Sequence, residues 1–238
     1  MIEASDFPKY YHYTKKILVG DESLLEKTIM RYTSFQSLDD IAQNKFFVRE
    51  RKTFDDLRER GIRQKSIHSD RLWFVGEPIP EQILQLDNKI DYSYQLFTSC
   101  WTMHEHENAL MWKAFSAEVL LHTTVKLLLD AIDTKDVKLI VCNKVSYEKE
   151  HFKGVRLSNE IFEKVPAYKD ERELRFYVEF ENQPIGDGAF VKLAKPFLTG
   201  LTFSPFLKTN NVDDIITKNK IPNNYIVASE IIENYAHN

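Results

Sequence analysis

Phe97-Thr98-Ser99-Cys100-Trp101-Thr102-Met103-His104-Glu105-His106-Glu107-Asn108-Ala109-Leu110-Met111-Trp112-Lys113-Ala114-Phe115 is the stretch on which the fold turns. Its first half is rich in aromatic and β-branched residues, as a strand requires, and its second half carries apolar residues at helical spacing. Two of the three tryptophans of the chain stand in it. Large rings with one polar atom, gathered where a strand hands over to a helix, belong to the centre of a core or to the wall of a ligand pocket.

Outward from this junction, further strands and helices follow. Upstream, Leu24, Leu25 and Ile29 give a short helix over Glu22–Met30, after an aromatic arm containing Phe7, Tyr10, Tyr11 and Tyr13. Arg31-Tyr32-Thr33 reads as a strand, Leu38–Gln43 as a helix capped by Ser37 and stopped by Asn44, and Lys45–Val48 as a second strand. Residues 49–90 form a charged helical excursion, with Arg58, Arg60, Arg63, Lys65 and Arg71 making it the most basic part and Pro80 opening a helix at Glu81–Leu86. Tyr92–Trp101 is a strand and Glu107–Ser116 a helix with Leu110, Met111 and Ala114 inward. Downstream come a strand at Val119–Val125, a helix at Lys126–Ile132 and a long strand at Val137–Tyr147. Arg172–Phe180 and Ala189–Leu193 suggest an antiparallel pair around Gly186-Asp187-Gly188. A strand at Leu198–Phe203, a helix at Val212–Lys218 and a strand at Tyr225–Ser229 complete the pattern. Strands outnumber crossover helices in the second half. The expectation is therefore a single α+β domain with a mixed, largely antiparallel sheet and helices packed to one side.

Bulk properties narrow the function. A chain of 238 residues with 43% hydrophobic and 29% charged residues can bury a substantial core. The net charge of −4 supplies no basic field, which disfavours nucleic acid as a partner. Cys100 and Cys142, the two cysteines, lack CxxC spacing, so neither a zinc site nor a disulfide framework is indicated and a reducing cytoplasm is the simplest setting. No apolar run approaches the ~20 residues that span a bilayer, so no membrane partner is expected.

Four segments in order have a familiar look. They are Arg31-Tyr32-Thr33-Ser34-Phe35 with Leu38, Ile41 and Asn44-Lys45-Phe46-Phe47; Ser99-Cys100-Trp101 with Glu107 to Lys113; Val145-Ser146-Tyr147; and Tyr168 to Phe176, which contains Glu171-Arg172-Glu173-Leu174-Arg175. Together they resemble the bacterial and phage family known as domain of unknown function 2971, with its Met-Trp helix, Val-x-Tyr strand and late Glu-x-Glu-x-Arg segment. The family's turn after the second strand is replaced here by Thr53-Phe54-Asp55-Asp56. The resemblance implies a role in bacterial or phage conflict and names no reaction.

The carboxylates of Glu171 and Glu173 share one side of an extended chain, about 7 Å apart by strand geometry. The Arg31-Tyr32-Thr33 opening, Ser99 on a middle strand and this Glu-x-Glu pair also resemble, in order, the three motifs of ADP-ribosyltransferases. That likeness implies NAD as cofactor. Arg31 would hold phosphate, Tyr32, Thr33, Ser99 and Trp101 would line the nicotinamide pocket, Glu173 would be the catalytic carboxylate, and Glu171 would assist at a protein or nucleic-acid acceptor. Two other readings stand beside it. One is a non-enzymatic recognition module that takes a partner or nucleotide in the same aromatic cleft; the Glu-x-Glu segment itself also reads as a surface ion-pair ladder of Glu171, Arg172, Glu173 and Arg175 at a strand end. The other is a metal-dependent nuclease using His104, Glu105 and His106, although histidines at i and i+2 do not share a helix face and no third ligand is evident, so no metal site is assigned. Met111 and Trp112 read as core anchors. Cys100 reads as a small apolar residue or a nucleophile, and Glu107 as favourable to a helix N-terminus.

Overall fold

Among the described residues, runs of β-branched and aromatic residues give ten strands in one sheet. They are β1 Tyr11–His12, β2 Ile17–Val19, β3 Thr28–Thr33, β4 Lys45–Glu50, β5 Phe97–Thr102, β6 Val119–Thr124, β7 Val137–Lys144, β8 Glu173–Phe180, β9 Gly188–Lys192 and β10 Gly200–Phe203. The computed structural model describes residues 9–53, 97–147, 162, 164, 166–207 and 212–231. The expected helix at Glu81–Leu86, the charged stretch beyond Thr53, residues 92–96 of the expected central strand, and Phe7 lie outside them. Strand order is β1-β2-β7-β8-β5-β3-β6-β10, with β4 joined to β5 and β9. Only β2–β7 is parallel among these pairs, so the sheet is mixed and largely antiparallel, and the α+β expectation holds.

Side-chain alternation divides the residues between two faces. Ile29, Phe97, Trp101, Val119, Leu121, Leu174, Phe176 and Val178 point to the main core. There they meet Leu38 of α1 (Gln36–Ala42) and Val125, Leu128 and Leu129 of α3 (Val125–Ala131). Met30, Tyr32 and Leu120 point to the opposite face, where the short helix α2 (Ala109–Ala114) buries Met111 and Trp112 against them. Among the described residues, helices therefore lie mainly, but not wholly, on one side. A further helix among the described residues, α4, is Val212–Lys218, as expected.

One irregularity creates the site. β5 pairs with β8 along its whole length, from Phe97↔Val178 to Thr102↔Glu173. Along its other edge it is shared. β4 takes the start (Glu50↔Phe97, Arg49↔Thr98) and β3 takes the end (Met30↔Thr102). Between these contacts β3 and β4 diverge, leaving a slit beside Ser99–Trp101.

Several local expectations are corrected. Glu22–Met30 is no helix: a single 3-10 turn at Glu22–Leu24, capped by Asp21, leads into β3, whose six-residue pairing with β6 takes in Ile29 and Met30. Thr28 and Ile29 are β-branched, and that pairing outweighs the helical spacing. The segments around Gly186–Gly188 both form strands but do not pair with each other. β8 is held on both edges by β5 and β7, so β9 joins β4 instead. α2 begins after Asn108, whose side chain accepts from Leu110 N at 2.9 Å. This turns Met111 and Trp112 inward and leaves Leu110 75% exposed and Ala114 exposed. Tyr225–Ser229 is no strand; a 3-10 turn at Asn223–Tyr225 precedes one bridge from Ile226 to Leu201. Asn44 stops α1 as expected, with φ of 56° in the left-handed region asparagine tolerates.

Candidate functional site

Glu173 opens β8, and its register partner Thr102 places its side chain on the α2 face of the sheet, together with Cys100 and Arg175. Two residues on, Arg175 returns on the same side and grips the carboxylate with two donors, Nε at 2.6 Å from Oε1 and Nη2 at 3.0 Å from Oε2. Lys164 Nζ adds a third at 3.4 Å and reaches Glu171 Oε2 at 2.7 Å. The Glu173 amide donates to Tyr147 Oη at 3.0 Å. Burial alone would raise the Glu173 carboxyl, but the charge and hydrogen bonds of Arg175, then Lys164 and the Cys100 thiol, outweigh it and hold it below the ordinary glutamate range. Burial pushes Tyr147 up to about 12, against the hydrogen bond its oxygen accepts.

This network forms one wall of a cavity of about 270 Å³. Cys100, Thr102 and Tyr32 line it together with Met111 and Phe115 from the α2 side, Arg49 from β4, and Lys164, Tyr168, Glu171 and Glu173 from the side of β8. Phe115 is 52% exposed and Tyr168 39% exposed, so two partly exposed rings line the cavity. Phe115 stacks on Tyr32 at 6.4 Å and 19°, while the Tyr168 ring lies 4.5 Å from Lys164 Nζ. The turn bearing Tyr168 (Pro166–Glu171) is tied to β5 by Thr102 Oγ1 donating to Glu171 O at 2.7 Å and by Met103 N donating to Arg172 O at 3.0 Å.

The residues expected to share an active site are divided by the sheet. β3, β5 and β8 are neighbours as the transferase reading requires, and Arg31, Tyr32, Trp101, Glu171 and Glu173 all touch the cavity. Their functional groups, however, do not converge. Arg31 points toward the core face and plugs the slit, donating from Nη1 to Ser99 Oγ at 3.0 Å and lying 5.5 Å from the Phe46 ring and 6.0 Å from Trp101. Ser99 is 1% exposed and also accepts from Trp101 Nε1 at 2.9 Å. Trp101 is 2% exposed, with edge contacts to Phe176 and Phe197, so its ring is core and not a stacking platform. Thr33 bonds Ser37 at 2.6 Å below α1. Tyr32 lies on the Glu173 face, but its oxygen accepts from Asn108 N at 2.7 Å and its ring meets Trp112 edge-on at 5.0 Å. The expected phosphate and nicotinamide groups Arg31 and Ser99 thus lie across the sheet plane from Glu173. Alternation along β5 enforces this: Ser99 and Trp101 face one way, Cys100 and Thr102 the other.

Tyr32 is a brace, with a measurable consequence. Tyr32→Phe leaves the Asn108 amide at the start of α2 without its acceptor and should cost about 1–3 kcal/mol in denaturant unfolding. An unchanged midpoint would remove that role.

His104 and His106 also part company. His104 Nε2 lies 2.6 Å from Asp170 O, and His106 faces Glu230 at 3.2 Å. Glu107 accepts from Trp112 Nε1, Ser229 Oγ and Glu230 N, each at 2.9 Å, and so ties α2 to the segment after Ile226. Cavity residues that sequence reading missed are Lys164, Tyr168, Phe115 and Arg49. Exposure of an aromatic ring and pairing of a lysine are tertiary properties, and no local pattern announces them.

The fold and site define an α+β protein whose split sheet carries an ion-paired, aromatic-flanked cavity. Comparison with protein-family models, curated proteins and solved structures finds no match for this chain.

Proposed function

We propose that this protein is a non-enzymatic recognition module that binds a nucleotide-like ligand in the cavity on the Glu173 face and acts in the cytoplasm. The observation that carries this reading is the pairing of two exposed rings, Phe115 and Tyr168, with a buried ionic wall around Lys164. Rings supply stacking for a base, and a lysine in a partly dry setting supplies a point charge for phosphate. A free, poised carboxylate, which glycosidic chemistry on NAD would need, is the feature least supported. Glu173 is saturated by Arg175 and Lys164. No helix among the described residues is long and apolar enough to cross a membrane.

An ADP-ribosyltransferase-like enzyme using NAD is the second reading, favoured by Glu171 and Glu173 bordering one cavity with Tyr32. It would fit the resemblance to domain of unknown function 2971 and a conflict role. The two separate in one experiment, in which NAD, ADP-ribose and mononucleotides are added to the protein while thermal midpoint and free nicotinamide are followed. The recognition reading expects a raised midpoint with mononucleotides and no nicotinamide from NAD. Nicotinamide release that Glu173→Gln abolishes would replace it with the transferase.

A further inference from the structure

Resting on the recognition reading, we infer that the ligand is a ring compound carrying one phosphate, of the nucleoside monophosphate class, and that its phosphate displaces Glu171 from Lys164. Size suits a compact ligand such as one nucleoside: about 270 Å³ lies just below the ~300–1,000 Å³ usual for ligand pockets. Charge argues for an anion. Among the described residues lining the cavity, Arg49 and Lys164 match Glu171 and Glu173 in number, and Arg175, which grips Glu173, tips the local balance to positive.

The two carboxylates on Lys164 are not equivalent. The Glu173 side chain is 4% exposed and held by both donors of Arg175, so it is fixed. The Glu171 side chain is 19% exposed and is a close partner of Lys164, at 2.7 Å. Glu171 sits where a phosphate oxygen would sit, and Tyr168 already lies against the same ammonium at 4.5 Å. A phosphate entering beside Tyr168 would exchange one anion for another at Lys164, with the base held between Tyr168 and Phe115.

This makes Glu171 a competitor of the ligand rather than a contact to it, and the sign of a substitution tests that. Isothermal titration with AMP, UMP and adenosine would be run on wild type, Glu171→Gln, Lys164→Ala and Phe115→Ala, each checked for an unchanged fold by circular dichroism. Expected is tighter binding of at least one monophosphate to Glu171→Gln, by up to about fivefold, the scale of one weak ion pair. Lys164→Ala should lose the preference for AMP over adenosine, and Phe115→Ala should weaken both. Weaker or unchanged monophosphate binding in Glu171→Gln overturns the displacement. Adenosine binding as tightly as AMP overturns the anionic class yet leaves ring recognition standing. Absence of binding by all three compounds overturns the recognition reading itself.

Discussion

Arg175→Leu is expected to destabilise the protein by about 3–5 kcal/mol, the cost of breaking a buried ion pair from one side. Arg175 is 2% exposed and Glu173 3% exposed, on a strand held along both edges by β5 and β7. Without the guanidinium, the Glu173 carboxylate keeps Lys164 at 3.4 Å and the Cys100 thiol, too little to replace two charged donors at 2.6 and 3.0 Å. Urea unfolding of Arg175→Leu and of the double variant Glu173→Leu/Arg175→Leu gives the check. The double variant should recover most of the loss, since no charge is then stranded. Equal losses in both would mean that packing, not charge, is what Arg175 contributes. The same pair sets an acid limit. Glu173 titrates below its ordinary value when folded, so the unfolded chain takes up its proton first as pH falls. Its contribution is complete above the unfolded value of about 4.3 and is lost as pH drops through the lower folded one.

Trp101→Ala is expected to cost about 3–5 kcal/mol, the range for emptying a buried aromatic site. Ser99→Ala should cost about 1–3 kcal/mol by orphaning the Trp101 Nε1–H and one Arg31 donor. On the transferase reading these two residues would matter chiefly to NAD. Here they matter chiefly to stability. Monophosphate affinity measured well below the unfolding midpoint should be nearly unchanged in Ser99→Ala, and a tenfold loss of affinity with an intact midpoint would contradict the placement of Ser99 beneath the slit.

The fold was legible because strands report themselves locally. Lys45–Val48, Val119–Val125, Val137–Tyr147 and Arg172–Phe180 each carry enough β-branched or aromatic residues to be recognised, and the observed strands overlap all four. Pairing was not legible. Nothing within Gly186-Asp187-Gly188 reveals that β8 has both edges occupied, and nothing within Arg31-Tyr32-Thr33 reveals that β3 and β4 compete for one edge of β5. The site suffered for the same reason. Strand order brought Arg31, Ser99 and Glu173 to neighbouring strands as the motif order implied, but facing depends on register, and one residue decides it. Had Cys100 and Ser99 exchanged places, the hydroxyl would stand beside Glu173. Met111 and Trp112 were readable as core because their spacing alone suffices. Lys164 and Tyr168 were not, because their meaning comes from Glu171, Glu173 and the emptiness between them and Phe115.

The central claim, that a ligand is taken on the Glu173 face of the split sheet, is tested most directly by an NMR titration of the isotopically labelled protein with AMP and UMP. The account predicts that backbone shifts cluster at Cys100–Thr102, Phe115 and Tyr168–Glu173 and leave Leu128 and Leu129 of α3, under the opposite face, unmoved. Shifts centred on the core face around α3, or none at saturating nucleotide, would contradict it.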